Sequence, residues 1–352
     1  MLIILDGILG EPEADSLVRR SSEFVRMAEV SRLTRVDRQR CETPESSLLG
    51  LAPHEGQLRQ GPLTVSALGW DPPDSSLHFH LSLLSLGATI QAPKQSLTAV
   101  EFAVIKDCLA RLNTKKLTTL LGQQFDHGLV WERMGEMFTT HPSDIRSISE
   151  NLPVGDGEVE LRRFIDDSVN LLQDEDFNRA RIDKGLDPVN LAWPWGHGYR
   201  MPVPSLALRY GFPYRYESNS TRLAGLVRLA GFRHGSPGRF GNGVETRFEG
   251  NQYDAGVVLY LDQWHSMRQR EEFEELEYLT AKCGKGLIKP MLDHVEEHRL
   301  ELRIILLSES SGIAATFSEN SADNHYPLDE RSLLEPNLPR AQLFEFVRSA
   351  IA

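Results

Sequence analysis

Cysteine is scarce, with Cys41, Cys108 and Cys283 the only three in a chain of 352 residues. Three widely spaced thiols exclude a disulfide framework, and the lack of any Cys-x-x-Cys pair excludes a zinc ribbon or a thioredoxin-type motif. Positive charge is the next shortage. Lysine and arginine number 38 against 50 acidic residues, a formal net charge of −12. A protein devoted to gripping nucleic acid or an anionic bilayer carries a basic excess instead, so neither partner is expected. Long apolar runs are also missing. None approaches the roughly 18 uncharged residues of a membrane span. The opening Leu2-Ile-Ile-Leu-Asp6 is too short, and lacks the basic start, for a secretory signal. The expectation is a cytoplasmic protein.

What is present is an ordinary globular composition, 40% hydrophobic and 25% charged, long enough to bury a core without disulfides or structural metals. The length suggests two domains, or one core with a sizeable insertion. Three short apolar runs each end in polar residues: Leu2 to Asp6, Gly256 to Asp262 and Leu302 to Glu309. Continuous runs of this length fit strands covered on both faces of a parallel sheet. Polar groups just past such strand ends are where open α/β sheets build their sites. Between the last two runs, Ile288, Met291, Leu292 and Val295 recur at helical spacing, although Gly284, Gly286 and Pro290 suggest a break. The fold class expected is α/β, a doubly wound core.

Residues 73–187 read differently. Leu77, Phe79, Leu81 and Leu83 alternate with His78, His80 and Ser82, the pattern of a strand with one wet face. Thr98-x-x-Glu101 is a capping box opening a helix with Phe102, Ile105, Leu109 and Leu112 on one stripe. A second helix carries Leu161, Phe164, Ile165 and Leu172. These elements suggest an inserted α+β cap at 73–187, within a core formed by 1–72 and 188–352.

Several motifs bear chemistry, each with a plainer alternative. Asp6-Gly7 at a strand end suits either a divalent cation or a simple turn. Cys41-Glu42 follows a basic stretch that would lower a thiol pKa, yet a lone cysteine is usually inert. His78-x-His80 is either a two-histidine metal site or a solvated pair. In Trp193-Pro-Trp-Gly-His-Gly198 the glycines permit close backbone approach and the tryptophans give rigid walls, for a ligand or for a packed crossing. Gly235 to Gly243 is glycine-rich without matching a phosphate-loop fingerprint, and reads as a loop near the site. Glu271 to Glu277 reads as a solvated helix face.

Taken in order, these fragments resemble the cofactor-independent phosphoglycerate mutases of the archaeal type, in the alkaline phosphatase superfamily. The resemblance runs through Leu5-Asp-Gly-Ile-Leu-Gly-Glu-Pro12, Arg59-Gln-Gly-Pro-Leu63 and Phe79 to Ser85. It is densest from Asn178-Arg-Ala-Arg181 through the tryptophan hexad to Arg209-Tyr-Gly211. It implies an alkaline-phosphatase-like core with a cap, and a two-metal site (manganese or magnesium) where a serine passes a phosphoryl group between two hydroxyls. The matching positions depart from that chemistry. Asp6 matches a metal ligand and Glu309 stands at another. Cys41 stands where the nucleophilic serine is expected, with Glu42 beside it. The next ligand pair falls near His265, or at Trp264 and Arg268 after a one-residue slip, and the last histidine becomes Asn320 or Glu319.

On the substrate side, His80 and Asp126 replace arginines, Ser82 an asparagine and Ser143 a histidine. His127, Asp144, Trp195 and His197 complete the pocket positions. Trading an arginine for an aspartate reverses a charge that would grip phosphate. The resemblance therefore implies a mutase-like protein with a degraded metal site, a non-catalytic module that binds a small phosphorylated or acidic metabolite or another protein. No cofactor is expected, apart from manganese or magnesium if a metal site persists. The alternative is an active phosphoryl-transfer enzyme using Cys41 or a rearranged site that draws on Asp262, His265, Asp323 and His325.

Overall fold

The structure is a computed structural model that describes residues 2–10, 16–38, 44–52, 59–71, 73–200, 202–211, 215–218, 220–235, 257–269, 272–318, 326 and 329–351. The strands open with β1 (Leu2–Asp6) and β2 (Arg32–Asp37). The middle of the chain supplies β3 (Leu77–Leu86), β4 (Ile90–Gln91), β5 (Leu117–Gln123), β6 (Asp126–Trp131), β7 (Met137–Phe138), β8 (Val154–Gly155) and β9 (Leu191–Gly198). The remainder gives β10 (Arg215–Ser218), β11 (Arg233–Gly235), β12 (Val257–Leu261), β13 (Leu302–Leu307), β14 (Ser311–Phe317) and β15 (Arg340–Gln342). Two compact units result, Met1–Gln57 with Val203–Ala352, and Leu58–Pro202.

The discontinuous unit holds an eight-stranded sheet in the order β11-β10-β12-β1-β13-β14-β2-β15. The three apolar runs lie side by side in it. β1 pairs in parallel with β12 on one edge and β13 on the other. Only the pairs that β14 makes, with β13 and β2, are antiparallel. Both faces of β1 are covered, Ile3, Ile4 and Leu5 being fully buried, which is why the run has no alternation. Ile3, Leu5, Leu259, Leu261, Ile304 and Leu306 share a core with Ile288, Met291, Leu292 and Val295. The break expected near Gly284 is a π turn, Gly284–Ile288, joining helix Phe273–Cys283 to helix Lys289–His298. Pro290 sits at the start of the latter, where a missing N–H is tolerated. Gly235 is the last residue described before 257, so the rest of the glycine-rich stretch lies outside the described residues.

The unit Leu58–Pro202 is built on an antiparallel sheet, β4-β3-β6-β5, with β9 also paired to β3. Its main core sets Leu77, Phe79, Leu81 and Leu83 against Ile105, Leu109, Leu161, Phe164 and Leu172, so both amphipathic helices dock as their stripes direct. Helix Ala99–Arg111 begins at the capping box. Glu101 N–H donates to Thr98 Oγ1 at 3.3 Å, and Thr98 N–H donates to Glu101 Oε2 at 2.7 Å.

The alternation in β3 does not mark a wet face. His78, His80 and Ser82 are buried, at 2%, 3% and 8% exposure. Thr64 of helix Gln60–Ala67 bonds the His80 ring, and Val65 of that helix packs with Leu120 and Val130. A sheet sandwiched between helices hides polar side chains as readily as apolar ones, provided they are hydrogen-bonded. The boundaries follow from the same packing. This helix and β9 belong with β3, so the unit runs from 58 to 202 rather than from 73 to 187.

Candidate functional site

In the discontinuous unit, the parallel strands carry polar residues to one rim of the sheet. Asp6, at the end of β1, is 5% exposed. Arg38, just past β2, donates from Nη1 to Asp6 Oδ1 and from Nη2 to Asp6 Oδ2, both at 2.9 Å. This bidentate fork is the strongest arrangement that the two groups can make. Tyr260 of β12 donates its hydroxyl to Asp6 Oδ2 at 2.7 Å. Burial, and then the Asp6 charge, hold the Tyr260 phenol well above its usual range, so it remains a donor. Burial opposes the Arg38 charge, but the Asp6 carboxylate more than offsets this and raises its pKa. Burial, and then Asp6, push the carboxyl of Asp262 up to about 6.

Gly7 turns the chain with φ +79, and a Cβ there would lie 2.5 Å from the His265 backbone nitrogen. Only glycine fits this crossing. Arg268 closes the same turn, donating to the Gly7 and Ile8 carbonyls at 2.7 and 2.8 Å. Trp264 is fully buried and donates to Thr280 Oγ1. His265 is exposed. Glu309 is exposed in the tight turn between β13 and β14, closed by Ser308 N–H to the Ser311 carbonyl at 2.8 Å, and no described bond joins it to Asp6. Cys41 and Glu42 lie outside the described residues, as do Glu319, Asn320, Asp323 and His325.

Two-metal phosphoryl transfer requires carboxylate and imidazole ligands that face the cations. Here both oxygens of Asp6 are already bonded, and among the described residues no three His, Cys, Asp or Glu side chains come together as ligands. The described residues do not fit a pair of divalent ions.

The unit Leu58–Pro202 gathers most of the pocket positions around Trp195, with its own polar network. His80 Nδ1 meets Thr64 Oγ1 at 2.7 Å, and His80 Nε2 meets Asp126 Oδ1 at 3.1 Å. The Trp195 indole N–H donates to Ser82 Oγ at 2.8 Å. The Trp195 ring lies edge-on to His80 and to His141, with centroids 5.0 and 4.3 Å away. His141 in turn contacts Ser143 Oγ at 2.7 Å, and Ser143 donates to Asp144 at 3.3 Å. His127 does not join this group. It is fully buried, stacks on Phe102 and accepts from the Gly122 N–H at 3.0 Å. The hexad's glycine at 196 (φ +61) admits protein rather than a ligand, since a Cβ there would lie 2.8 Å from Gln60 Cβ.

His197 lines a separate cavity of about 500 Å³ in the same unit, with Arg59, Leu77, Glu136, Phe138 and Tyr199 among its walls. Arg59 donates to His197 Nε2 at 3.2 Å, and Thr139 Oγ1 meets Nδ1 at 3.0 Å. Burial, and then the Arg59 charge, push the His197 imidazole down to about 4, so it is a neutral acceptor for the guanidinium. Arg38, Tyr260 and His141 were not singled out from the sequence. The basic stretch before Cys41 was the one signal pointing toward Arg38.

No family profile matches the chain. The chain is 27% identical over 181 residues to a 2,3-bisphosphoglycerate-independent phosphoglycerate mutase of Methanothrix thermoacetophila, covering 48% of this chain and 46% of that protein. It is 26% identical over 176 residues to a probable mutase of the same kind from Geobacter sulfurreducens, covering 47% and 44%. A Methanosarcina mazei mutase aligns at 26% over 283 residues, covering 75% and 70%. The match thus spans about half the length of the first two relatives. Among solved structures, the PH0037 protein of Pyrococcus horikoshii superposes with a TM-score of 0.72 at 16% identity, covering 99% of this chain and 95% of that one. The cofactor-independent phosphoglycerate mutase of Thermoplasma acidophilum gives 0.59 at 13%, covering 99% and 98%. The fold is thus the α/β fold of these two structures, and in sequence the chain is similar to cofactor-independent phosphoglycerate mutases.

Proposed function

We propose that this mutase-like chain does not transfer phosphoryl groups through two metals, and that it works by binding a small acidic metabolite. The observation that carries the reading is the bidentate Arg38 fork on Asp6. A carboxylate with three of its four lone-pair directions engaged by a guanidinium and a phenol has little left to offer a divalent ion. Manganese or magnesium would enter this chemistry only through a rearranged set of residues.

The cavity walled by Arg59 and His197 supports the binding half of the reading. Its volume is in the range of small-molecule sites, and Arg59 is the one cation among its lining residues. It suits a compound that pairs an acidic group with an apolar body. The group around Trp195, where Asp126 and Asp144 stand close to His80 and His141, is less suited to phosphate because its two carboxylates have no arginine or lysine among their described partners, whereas in the cavity Arg59 balances Glu136.

The test combines three measurements on the full chain. Purified protein is expected to contain no stoichiometric manganese, its melting temperature to be unchanged by added Mn²⁺, and 3-phosphoglycerate to be left unconverted. Robust turnover that vanishes in Cys41→Ala would overturn the proposal in favour of a thiolate nucleophile.

A further inference from the structure

We propose that the cavity walled by Arg59 and His197 binds an α-amino acid with an apolar side chain, Arg59 taking its carboxylate, Glu136 its ammonium group, and Leu77, Met137 and Phe138 its side chain. The inference deepens, and rests on, the reading above that the chain binds a small acidic metabolite.

The two charges carry the argument. Arg59 and Glu136 are the charged residues lining this cavity of about 500 Å³. Among the described residues Arg59 bonds only His197, Nη1 donating to the ring Nε2 at 3.2 Å and to the carbonyl at 3.5 Å. Burial, and then the Arg59 charge, push that imidazole down to about 4, so it is neutral at pH 7 and aims the guanidinium without cancelling its charge. Thr139 Oγ1, 3.0 Å from the other ring nitrogen, steadies the imidazole. The Nε and Nη2 edge of Arg59 bonds no described residue, which leaves it able to take a carboxylate through two parallel bonds.

Glu136 presents the opposite charge. Its backbone is pinned to Asp156, whose Oδ2 accepts the Glu136 N–H at 2.9 Å and whose own N–H donates to the Glu136 carbonyl at 3.0 Å. Its side-chain carboxylate, on the cavity wall, bonds no described residue. The rest of the lining is largely apolar. Leu77 and Met137 are buried, and Phe138 is 71% exposed, surface that a ligand's apolar body would cover. The Tyr199 hydroxyl is taken up by Gly135, accepting its N–H and donating to its carbonyl, both at 2.7 Å, so its ring is what a ligand meets.

This inventory discriminates between ligands. A phosphate ester brings two negative charges toward Glu136, and a simple carboxylate leaves Glu136 desolvated without a partner. A simple amine does the same to Arg59. A zwitterion satisfies both, and an apolar side chain fits the walls.

The experiment is calorimetric titration of the full chain with L-phenylalanine, L-leucine and L-methionine. The controls are 3-phenylpropionate and 2-phenylethylamine, which each lack one charge, and 3-phosphoglycerate. The same set is run on Arg59→Gln and Glu136→Gln, whose wild-type side chains are exposed. At least one amino acid is expected to bind the wild-type chain about tenfold more tightly than every control, and to lose about tenfold in each variant. Glu136→Gln is expected to bind 3-phenylpropionate more tightly than the wild type does, which general damage to the cavity would not produce. If a variant does not fold, the ligand comparison on the wild-type chain decides alone.

The inference is overturned if none of the three amino acids binds at millimolar concentration, if 3-phenylpropionate binds the wild type as tightly as they do, or if Glu136→Gln leaves their affinity unchanged. Tight binding of 3-phenylpropionate would leave the acidic-metabolite reading standing. Mn²⁺-dependent conversion of 3-phosphoglycerate would overturn that reading itself, so the two failures are distinguishable.

Discussion

The unit Leu58–Pro202 is expected to lose stability in mild acid, and His127 is the residue through which this is best measured. Its ring is fully buried. Nδ1 accepts the Gly122 N–H at 3.0 Å, and Nε2 has no partner among the described residues. A proton on Nδ1 would break the backbone bond, so the fold holds the neutral ring. Burial accordingly pushes its pKa down to about 4, against about 6.5 in an unfolded chain. A histidine with a lowered native pKa binds its proton more readily when unfolded. Its contribution is therefore complete above pH 6.5 and is lost as the pH falls from 6.5 toward 4. The full shift corresponds to about 3 kcal/mol, of which about 2 kcal/mol disappears between pH 7 and pH 5.

The informative variant is His127→Asn, whose side-chain oxygen can still accept from Gly122 but cannot be protonated. Hydrogen exchange of peptides covering β5 and β6, in increasing urea at pH 7 and pH 5, reports the opening free energy of this unit alone. The wild-type value is expected to fall by about 2 kcal/mol more than that of the variant over this interval. Equal losses in the two proteins would show that His127 is not held neutral by the fold, and the reasoning would be wrong.

Two further predictions concern stability. Asn178 is buried and ties three backbone groups together, donating to the carbonyls of Leu172 and Val189 at 2.8 and 2.9 Å and accepting from Val189 N–H at 2.7 Å. Asn178→Ala strands these groups and should lower the urea unfolding free energy by roughly 2–4 kcal/mol, an effect that a loss below 0.5 kcal/mol would disprove. Gly7→Ala forces a side chain into a left-handed turn and against His265, and is expected to lower the melting temperature by several degrees more than Gly185→Ala. Gly185 is also left-handed, at φ +72, but meets nothing within 4 Å, so equal losses would mean that the crossing at residue 265 is not tight.

Much of the architecture was legible because the local signals agreed with the packing. Unbroken apolar runs became β1, β12 and β13, side by side in the sheet, and the Thr98 capping box opens the helix it announced. The alternation in β3 misled because periodicity reports which residues differ from their neighbours, not whether a helix covers the second face. The glycines at 284 and 286 were visible, but their use in a π turn within a continuous helical run depends on how that run packs. Arg38 was the least legible of all. Its partner lies on β1, separated in the sheet from β2 by β13 and β14, so no sequence spacing announces the pair. Of the pocket positions expected from the sequence, the structure brings His80, Ser82, Asp126, Ser143 and Asp144 together around Trp195. His127 and His197 diverged because a strand sends adjacent residues to opposite faces and because the bulge between His78 and His80 alters the register along β9.

The pairing of β9 with β3, and the cover that helix Gln60–Ala67 gives to the histidine side of that sheet, bear on how the unit Leu58–Pro202 can be isolated. A fragment cut at 73 and 187 would bare the flank of β3 that β9 now fills, with its row of unsatisfied amides, and would also unroof Leu120 and Val130. Such a piece should clump in solution. One cut at 58 and 202 retains both coverings, and is the shorter stretch of this polypeptide worth trying to express alone.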